Sequence, residues 1–425
     1  MKTFWFILYN ITVVPVLYVL IHIAGIFNKK VKRGIRGRDR IFEELILNAA
    51  ALDKTKKLIW FHSSSLGEFE QAKPIIKELK KDKNINILVT FFSPSGYENS
   101  RKYPYADLIS YIPFDTFSNA KRFIMIAHPD LAVMMRYDIW PNHIWAMNKF
   151  HVKSFIVDAT MKGDSLRKLP VSKNFHKNLY RDISRILTVS KSDSEGFRAF
   201  GCSDEKVKAV GDTRFDRVYQ RSITAKDRNL IKEEVLAGKK IFVAGSTWET
   251  DEEIILPAFL KLTKYDRNVI LIIAPHEPTL LHLEKLENEF SGKLATIRFS
   301  FLNNYNNERV IIIDSIGILL TLYTYAHAAF VGGSFRQGIH NVLEAAVYGI
   351  PVLFGPKIDN SQETQQLLKE GGGILIKNKN EAYRQLRTLF TNDEIRISKG
   401  RVSYNYVQKN LGATGKILKE IYRVI

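Results

Sequence analysis

Cysteine is almost absent: Cys202 is the only one in 425 residues. A single thiol excludes an internal disulfide and leaves no spacing for a metal cluster. It suits a reducing compartment. Acidic residues fall short of basic ones, 44 against 63, and the net charge is +19. That balance favours anionic partners, whether nucleic acid, phospholipid headgroups or phosphorylated substrates. No nucleic-acid-binding motif accompanies the charge, so a nucleic-acid partner is not expected. No G-x-G-x-x-G follows an early strand, which disfavours a dinucleotide oxidoreductase. No Asp-x-Asp and no histidine cluster sits on a ligand-bearing loop, so no metal and no cofactor are expected at the chemistry. Low-complexity tracts and short-period repeats are also missing.

What is present starts with an apolar run from Phe4 to Phe27, interrupted by Asn10, Thr12, Pro15 and His22. About 20 apolar residues span a bilayer, so the run is long enough for a transmembrane helix. Pro15 and His22 equally suit a half-inserted interfacial helix. The charged region before the run is thin and no small-x-small cleavage site follows, which disfavours a signal peptide. Next come Lys29, Lys30, Lys32, Arg33, Arg36, Arg38 and Arg40. By the positive-inside rule this side is cytoplasmic. The cluster would also bind anionic headgroups or phosphates on a lipid substrate, so membrane lipids are expected partners. Simple topology marking is the alternative.

The length favours two domains, and 45% hydrophobic residues is ample for two cores. From Lys57 apolar strands such as LIWFHSS and INILVTFFS alternate with amphipathic helices, the first with Ala72, Ile75, Ile76 and Leu79 at helical spacing. This alternation predicts α/β, doubly wound parallel sheets. Ligands in such sheets bind beyond the carboxyl ends of the strands. The stretch His62-Ser-Ser-Ser-Leu-Gly-Glu68 closes the first strand. Ser65 and Glu68 have capping-box spacing, so Glu68 is either a helix cap or a carboxylate placed to take a proton.

The most informative stretch is AAFVGGSFRQGIHNVLEAAVYGIPVLFGPKIDNSQE, from Ala328 to Glu363. It predicts a strand to Val331, a turn at Gly332-Gly333, a loop, a helix from Asn341 to Tyr348, and a strand from Pro351 to Phe354. A helix start after a glycine turn is a ready anion site. Glu344 in its first turn would repel phosphate but accept from ribose hydroxyls. A nucleotide held by phosphate at the turn and by sugar at Glu344 is one reading; a capping Asn341–Glu344 pair in any α/β protein is the other.

The string GGSF…GIHNVLEAAVYGIPVLFGP resembles the nucleotide-binding signature of the lipopolysaccharide Kdo transferases, a family of inverting GT-B glycosyltransferases. HSSSLGE resembles the family's H-x-x-SVGE, FFSPSGYE its T-x-T-x-TG-x-E, RYDIWPN its ETELWPN, and VGDTRFD its G-N/S-x-KFD. The resemblance covers nearly the whole chain. It implies a GT-B fold, two Rossmann-like domains facing a cleft, with an N-terminal membrane-anchor helix. The implied boundaries are an anchor over 1–28, an acceptor-binding domain over 29–216, a linker over 217–239, a nucleotide-sugar domain over 240–402, and a terminal helix over 403–425 packing back on the first domain.

The implied reaction moves Kdo from CMP-Kdo to a lipid A precursor, without metal, at the cytoplasmic face of the inner membrane. Glu68 would be the catalytic base. Arg136 and Asp138 stand where the family has two glutamates, and Arg214 stands for its lysine; these three would complete the catalytic set. The nucleotide-binding set would be Pro275, His276, Ile316, Gly317, Ile318, Gly333, Ser334, Asn341, Val342, Leu343 and Glu344. Arg136, His276, Ile318 and Ile339 depart from the family pattern. They keep open a GT-B transferase with another nucleotide sugar, or a non-catalytic membrane-anchored relative.

Overall fold

The computed structural model describes residues 2–425. The chain forms two compact units, one ending at Arg217 and including Leu411–Ile425, the other Val218–Asn410. Each is built on one sheet. The first sheet holds β1 (Lys57–Ser63), β2 (Ile85–Phe91), β3 (Leu108–Tyr111), β4 (Leu131–Met135), β5 (Lys153–Ala159), β6 (Arg185–Thr188) and β7 (Val207–Ala209). The second holds β8 (Lys240–Thr247), β9 (Val269–Pro275), β10 (Thr296–Arg298), β11 (Val310–Ile312), β12 (Ala328–Val331), β13 (Val352–Phe354) and β14 (Gly373–Leu375). Every strand pair is parallel. Helices cover both faces, which is why strands such as β2 read as unbroken apolar runs: all seven of its residues are buried.

The strand orders are β3-β2-β1-β4-β5-β6-β7 and β10-β11-β9-β8-β12-β13-β14. In the second sheet β11 returns between β9 and the edge strand β10; in each sheet the chain crosses from one half to the other, between β1 and β4 and between β8 and β12. Those are the switch points where α/β sheets open a crevice beyond the carboxyl ends. HSSSLGE follows β1 and RYD follows β4; STWE closes β8 and GGSF follows β12. Strand topology therefore gathers the motifs two by two.

Several boundaries differ from expectation. The N-terminal helix belongs to the first compact unit. Thr3–Phe27 is helical throughout, and long and apolar enough to cross a membrane by length and composition. A π-helical segment, Tyr9–Val13, precedes Pro15, whose missing N–H breaks the regular ladder. That segment docks on the first unit. Tyr9 is 7% exposed, and its hydroxyl donates to Asp115 Oδ2 at 2.8 Å. Asn10 and Asn142 exchange amide hydrogen bonds at 2.9 and 3.0 Å. Phe6 meets Phe117 and Trp145 edge-on. Beyond Val14, large side chains such as Val19, Ile23, Ile26 and Phe27 are exposed.

The segment expected as a linker begins inside one helix, Thr213–Lys226, followed by a short helix Glu233–Leu236. The expected helix from Ser403 to Val424 is broken. Asp393–Lys409 ends in the second unit, Gly412 turns the chain with φ +98, and Ala413–Tyr422 joins the first. Asp216 holds that start by accepting the Gly412 and Thr414 amides, both at 2.6 Å. Ile417 and Ile421 then lie buried in the first core.

Candidate active site

The first unit's switch point is polar and charged. Leu66–Leu79 begins directly after β1, and Glu68 Oε2 accepts the Ser65 amide at 3.2 Å, so the capping geometry expected from the spacing is present. Glu68 is half-buried. Burial pushes its carboxyl above the ordinary glutamate value and neighbouring Asp138 pushes further, while the Ser64 and Ser65 amides and Arg136 oppose. A carboxylate with a raised pKa is a better proton acceptor, as a general base near neutral pH requires.

Asp138 belongs to a chain of contacts running into the core. His62 Nε2 lies 2.6 Å from Asp138 Oδ2. His62 Nδ1 lies 2.8 Å from Thr90 Oγ1, which accepts the Trp60 indole N–H at 2.8 Å. The Trp140 indole N–H donates to His62 Nε2 at 3.1 Å, so Asp138, His62 and Trp140 meet at one point. Burial would raise the Asp138 carboxyl, but His62, Ser64 and Trp140 hold it below the usual range. Of the two neighbouring carboxyls, Asp138 is thus held below its ordinary value and Glu68 above it.

Arg214 is gripped by Asp212: Nε and Nη2 lie 2.9 and 2.7 Å from Oδ2. Under it lies Asp158, a residue the sequence reading passed over. Its carboxylate accepts the Thr213 amide at 3.2 Å and also the Thr213 hydroxyl. Burial and Asp212 push its pKa up, against the Thr213 bonds and Arg214.

Three non-glycine residues with left-handed backbone mark these strand ends: Arg136 at φ 60, Asp158 at φ 53 and Ser246 at φ 53. Each such conformation costs about 1–3 kcal/mol and gathers at functional sites. No residue pattern announced them.

The second unit's switch point carries a pile of aromatic rings. The His276 ring stacks on His340 at 4.4 Å and 15°, and Trp248 lies 4.8 Å from His276 on the same pile. Burial and His276 push His340 down to about 4, so its neutral Nε2 accepts the Trp248 indole N–H at 3.1 Å. Gly333 makes room: a Cβ there would meet Gly338 O at 2.3 Å and the His340 ring at 2.9 Å.

The glycine turn does not present its amides as an anion site. Gly332 N donates to Gly245 O at 2.9 Å and Gly333 N to Asp251 Oδ2 at 2.8 Å. Ser334 is fully buried and its hydroxyl accepts the Gly355 amide at 2.6 Å, which ties the loop to the end of β13. The following helix is shorter than expected, Leu343–Ala346. Asn341 does not cap a long helix; its Oδ1 accepts the Leu343 amide at 3.2 Å in a local turn. Gly349 at φ +72 closes the segment early. Val342 and Leu343 are buried in the core.

Glu344 is half-buried, with Arg221 Nη1 3.6 Å from its Oε1. Its charge raises the hydroxyl pKa of Tyr348, after burial. Arg221 was not singled out because it lies in the charged segment read as a linker. Pro275 is buried and ends β9 opposite Thr247. Ile316, Gly317 and Ile318 follow β11, the neighbour of β9, and lead into Leu319, whose side chain lies against Gly245 of β8. Ile316 is 84% exposed and Gly317 turns at φ +85.

Two doubly wound units, each with its motifs at a switch point, define the GT-B architecture. A UDP-GlcNAc 2-epimerase from Neisseria meningitidis, solved bound to UDP-GlcNAc, matches it with a TM-score of 0.61 at 15% identity, over 87% of this chain and 100% of that one. That likeness concerns the fold. The 3-deoxy-D-manno-octulosonic-acid transferase (kdotransferase) family pattern matches residues 39–217. A 3-deoxy-D-manno-octulosonic acid transferase of Aquifex aeolicus is 32% identical over 345 residues, 80% of this chain and 88% of that protein. A bifunctional glycosyltransferase/methyltransferase of Fusobacterium nucleatum is 28% identical over 345 residues; the chain covers 79% of itself and 53% of that relative, about half its length. The chain belongs to the 3-deoxy-D-manno-octulosonic acid transferase family, and its members are glycosyltransferases.

Proposed function

We propose that the protein transfers Kdo from CMP-Kdo to a glucosamine hydroxyl of a lipid A precursor, with inversion, in lipopolysaccharide core biosynthesis. The observation that carries this reading is Glu68: a half-buried carboxylate at the end of β1, raised in pKa by burial and by Asp138. In the proposed step Glu68 takes the proton of the acceptor 6-hydroxyl. The oxygen forms a bond to the anomeric carbon of Kdo from the face opposite the phosphate. The bond from that carbon to the phosphate oxygen breaks, and CMP leaves with the electron pair.

Asp138, held ionised by His62, and Arg136 set the field around Glu68. Arg214, oriented by Asp212, is the proposed cation for charge developing on the departing phosphate. In the second unit, Glu344 is the proposed acceptor for ribose hydroxyls, and the Trp248–His276–His340 pile is the proposed face for the nucleotide. No metal has a part in this scheme. The basic segment from Lys29 and the exposed half of the N-terminal helix support membrane association, proposed at the cytoplasmic face of the inner membrane.

Incubating the purified protein with CMP-Kdo and a tetraacylated lipid A precursor tests the reading. Mass spectrometry should find the acceptor heavier by one or more Kdo units. UDP- and GDP-sugars run in parallel decide the second reading, which the departure from the family pattern at His276 favours. Transfer from one of those donors, and none from CMP-Kdo, would replace the first reading with it.

A further inference from the structure

A groove of about 400 Å³ lies in the first unit between the N-terminal helix, the basic segment after it and the loops after β2 and β3. Small-ligand pockets run to about 300–1,000 Å³, so it admits one chain but not a whole lipid. Its lining is mostly apolar, with Leu20 and Ala24 from the N-terminal helix, Ile35 from Lys29–Arg36, and Phe92, Pro94 and Phe114 from the loops after β2 and β3. Two cations complete it, the exposed Lys30 and the buried Arg38.

Arg38 is 8% exposed. Its guanidinium donates to the carbonyls of Ile112 at 2.8 Å, Gly34 at 2.6 Å and Phe92 at 2.8 Å. It sits 4.9, 4.7 and 4.9 Å from the ring centres of Phe92, Tyr111 and Phe114. No described carboxylate pairs with it. Burial lowers its pKa to about 10, so it stays charged at neutral pH. Its charge is thus balanced by carbonyl dipoles and ring faces and not by a carboxylate, which leaves the groove wall net positive. The neighbouring segment adds Lys29, Lys32, Arg33, Arg36 and Arg40 against a single acid, Asp39.

The groove also shares a wall with the site. Phe92 stacks on Trp140 at 4.8 Å and 28°, and Trp140 reaches the His62 nitrogen that faces Asp138. Ser93 donates its amide to Ser64 O at 2.8 Å, tying the groove loop to the loop that carries Glu68.

We propose that this groove takes one acyl chain of the lipid acceptor, with the basic segment drawing the acceptor's phosphate. It rests on the function proposed above. A chain seated there is held against the wall behind Asp138, which brings the headgroup hydroxyl toward Glu68. The groove thereby selects acylated acceptors over bare sugars.

Two measurements test it. In the first, Ala24→Trp fills the groove, and kinetics are compared on the tetraacylated acceptor and its fully deacylated counterpart. Expected is a rise in KM of about tenfold or more for the acylated acceptor, the worth of about two buried methylenes. Transfer to the deacylated acceptor should not change. Equal effects on both acceptors, or none on either, would overturn the proposal. In the second, the wild-type protein without donor is photolabelled by an acceptor carrying a diazirine on one acyl chain. Labelling should fall on 92–94 and Phe114. Equal labelling there by a diazirine phosphatidylglycerol in vesicles would make the occupant a bilayer lipid and overturn the proposal. If the wild type transfers Kdo to neither acceptor, the proposed function fails, while the labelling still decides the groove.

Discussion

The two units carry the same local device at the same place and use it differently. In each, the first strand runs into a helix whose third residue is acidic: Glu68 after β1 and Asp251 after β8. Glu68 accepts the Ser65 amide, and Asp251 the Trp248 amide at 2.9 Å. From there they diverge. Asp251 is 0% exposed and also accepts the Gly333 amide at 2.8 Å, from the loop after β12. Burial pushes its pKa up, and backbone amides of Gly333, Trp248 and Phe335 oppose. It is consumed by structure. Glu68 is half-buried, and what faces it is charged: Asp138 and Arg136. Capping spacing is therefore the same in both, and what differs is the neighbours across the switch point.

The largest effect that sharpens this contrast is on turnover. Glu68→Gln keeps a capping side chain but cannot take a proton. It should melt near the wild type and still bind CMP, yet lose on the order of 10²-fold or more in single-turnover transfer. Asp251→Ala should do the reverse. It strands buried amides at about 1–3 kcal/mol each, so denaturant unfolding of the second unit should weaken by about 3 kcal/mol, while the fraction that remains folded still transfers. If Asp251→Ala folds as stably as the wild type, the contrast breaks. A smaller effect is expected at the donor subsite. Glu344→Ala should weaken CMP binding, read by calorimetry, by about 1.5–3 kcal/mol, the value of a charged hydrogen bond. Unchanged affinity in a folded variant would remove Glu344 from the ribose.

Much of this was legible in the sequence, for identifiable reasons. Buried parallel strands are apolar runs, so β1, β2, β12 and β13 stood out. Glycine and capping residues marked their ends. The strand order was not legible, because periodicity says nothing about which strand lies beside which. His62 and Asp138 are far apart in the chain and meet only because β4 pairs with β1. For the same reason Asp251 could not be seen to reach Gly333, and an anion site was read where the amides are already bonded inward. The docked helix was hidden too. An apolar helix has the same composition whether it faces lipid or protein, and the only signals were Tyr9 and Asn10, polar groups that find Asp115 and Asn142. Arg221 was hidden in a charged segment that resembled a linker.

The central claim is that ionisation of Glu68 governs transfer, and the pH dependence of the single-turnover rate tests it most directly. A base works only when deprotonated, so the rate must fall as pH drops through its pKa. Burial and Asp138 raise that pKa, so the acid limb should lie above the ordinary glutamate value, about 4.3. The account predicts a one-proton limb in the wild type that is absent from the residual rate of Glu68→Gln. The same limb, unmoved in the Gln protein, would contradict it.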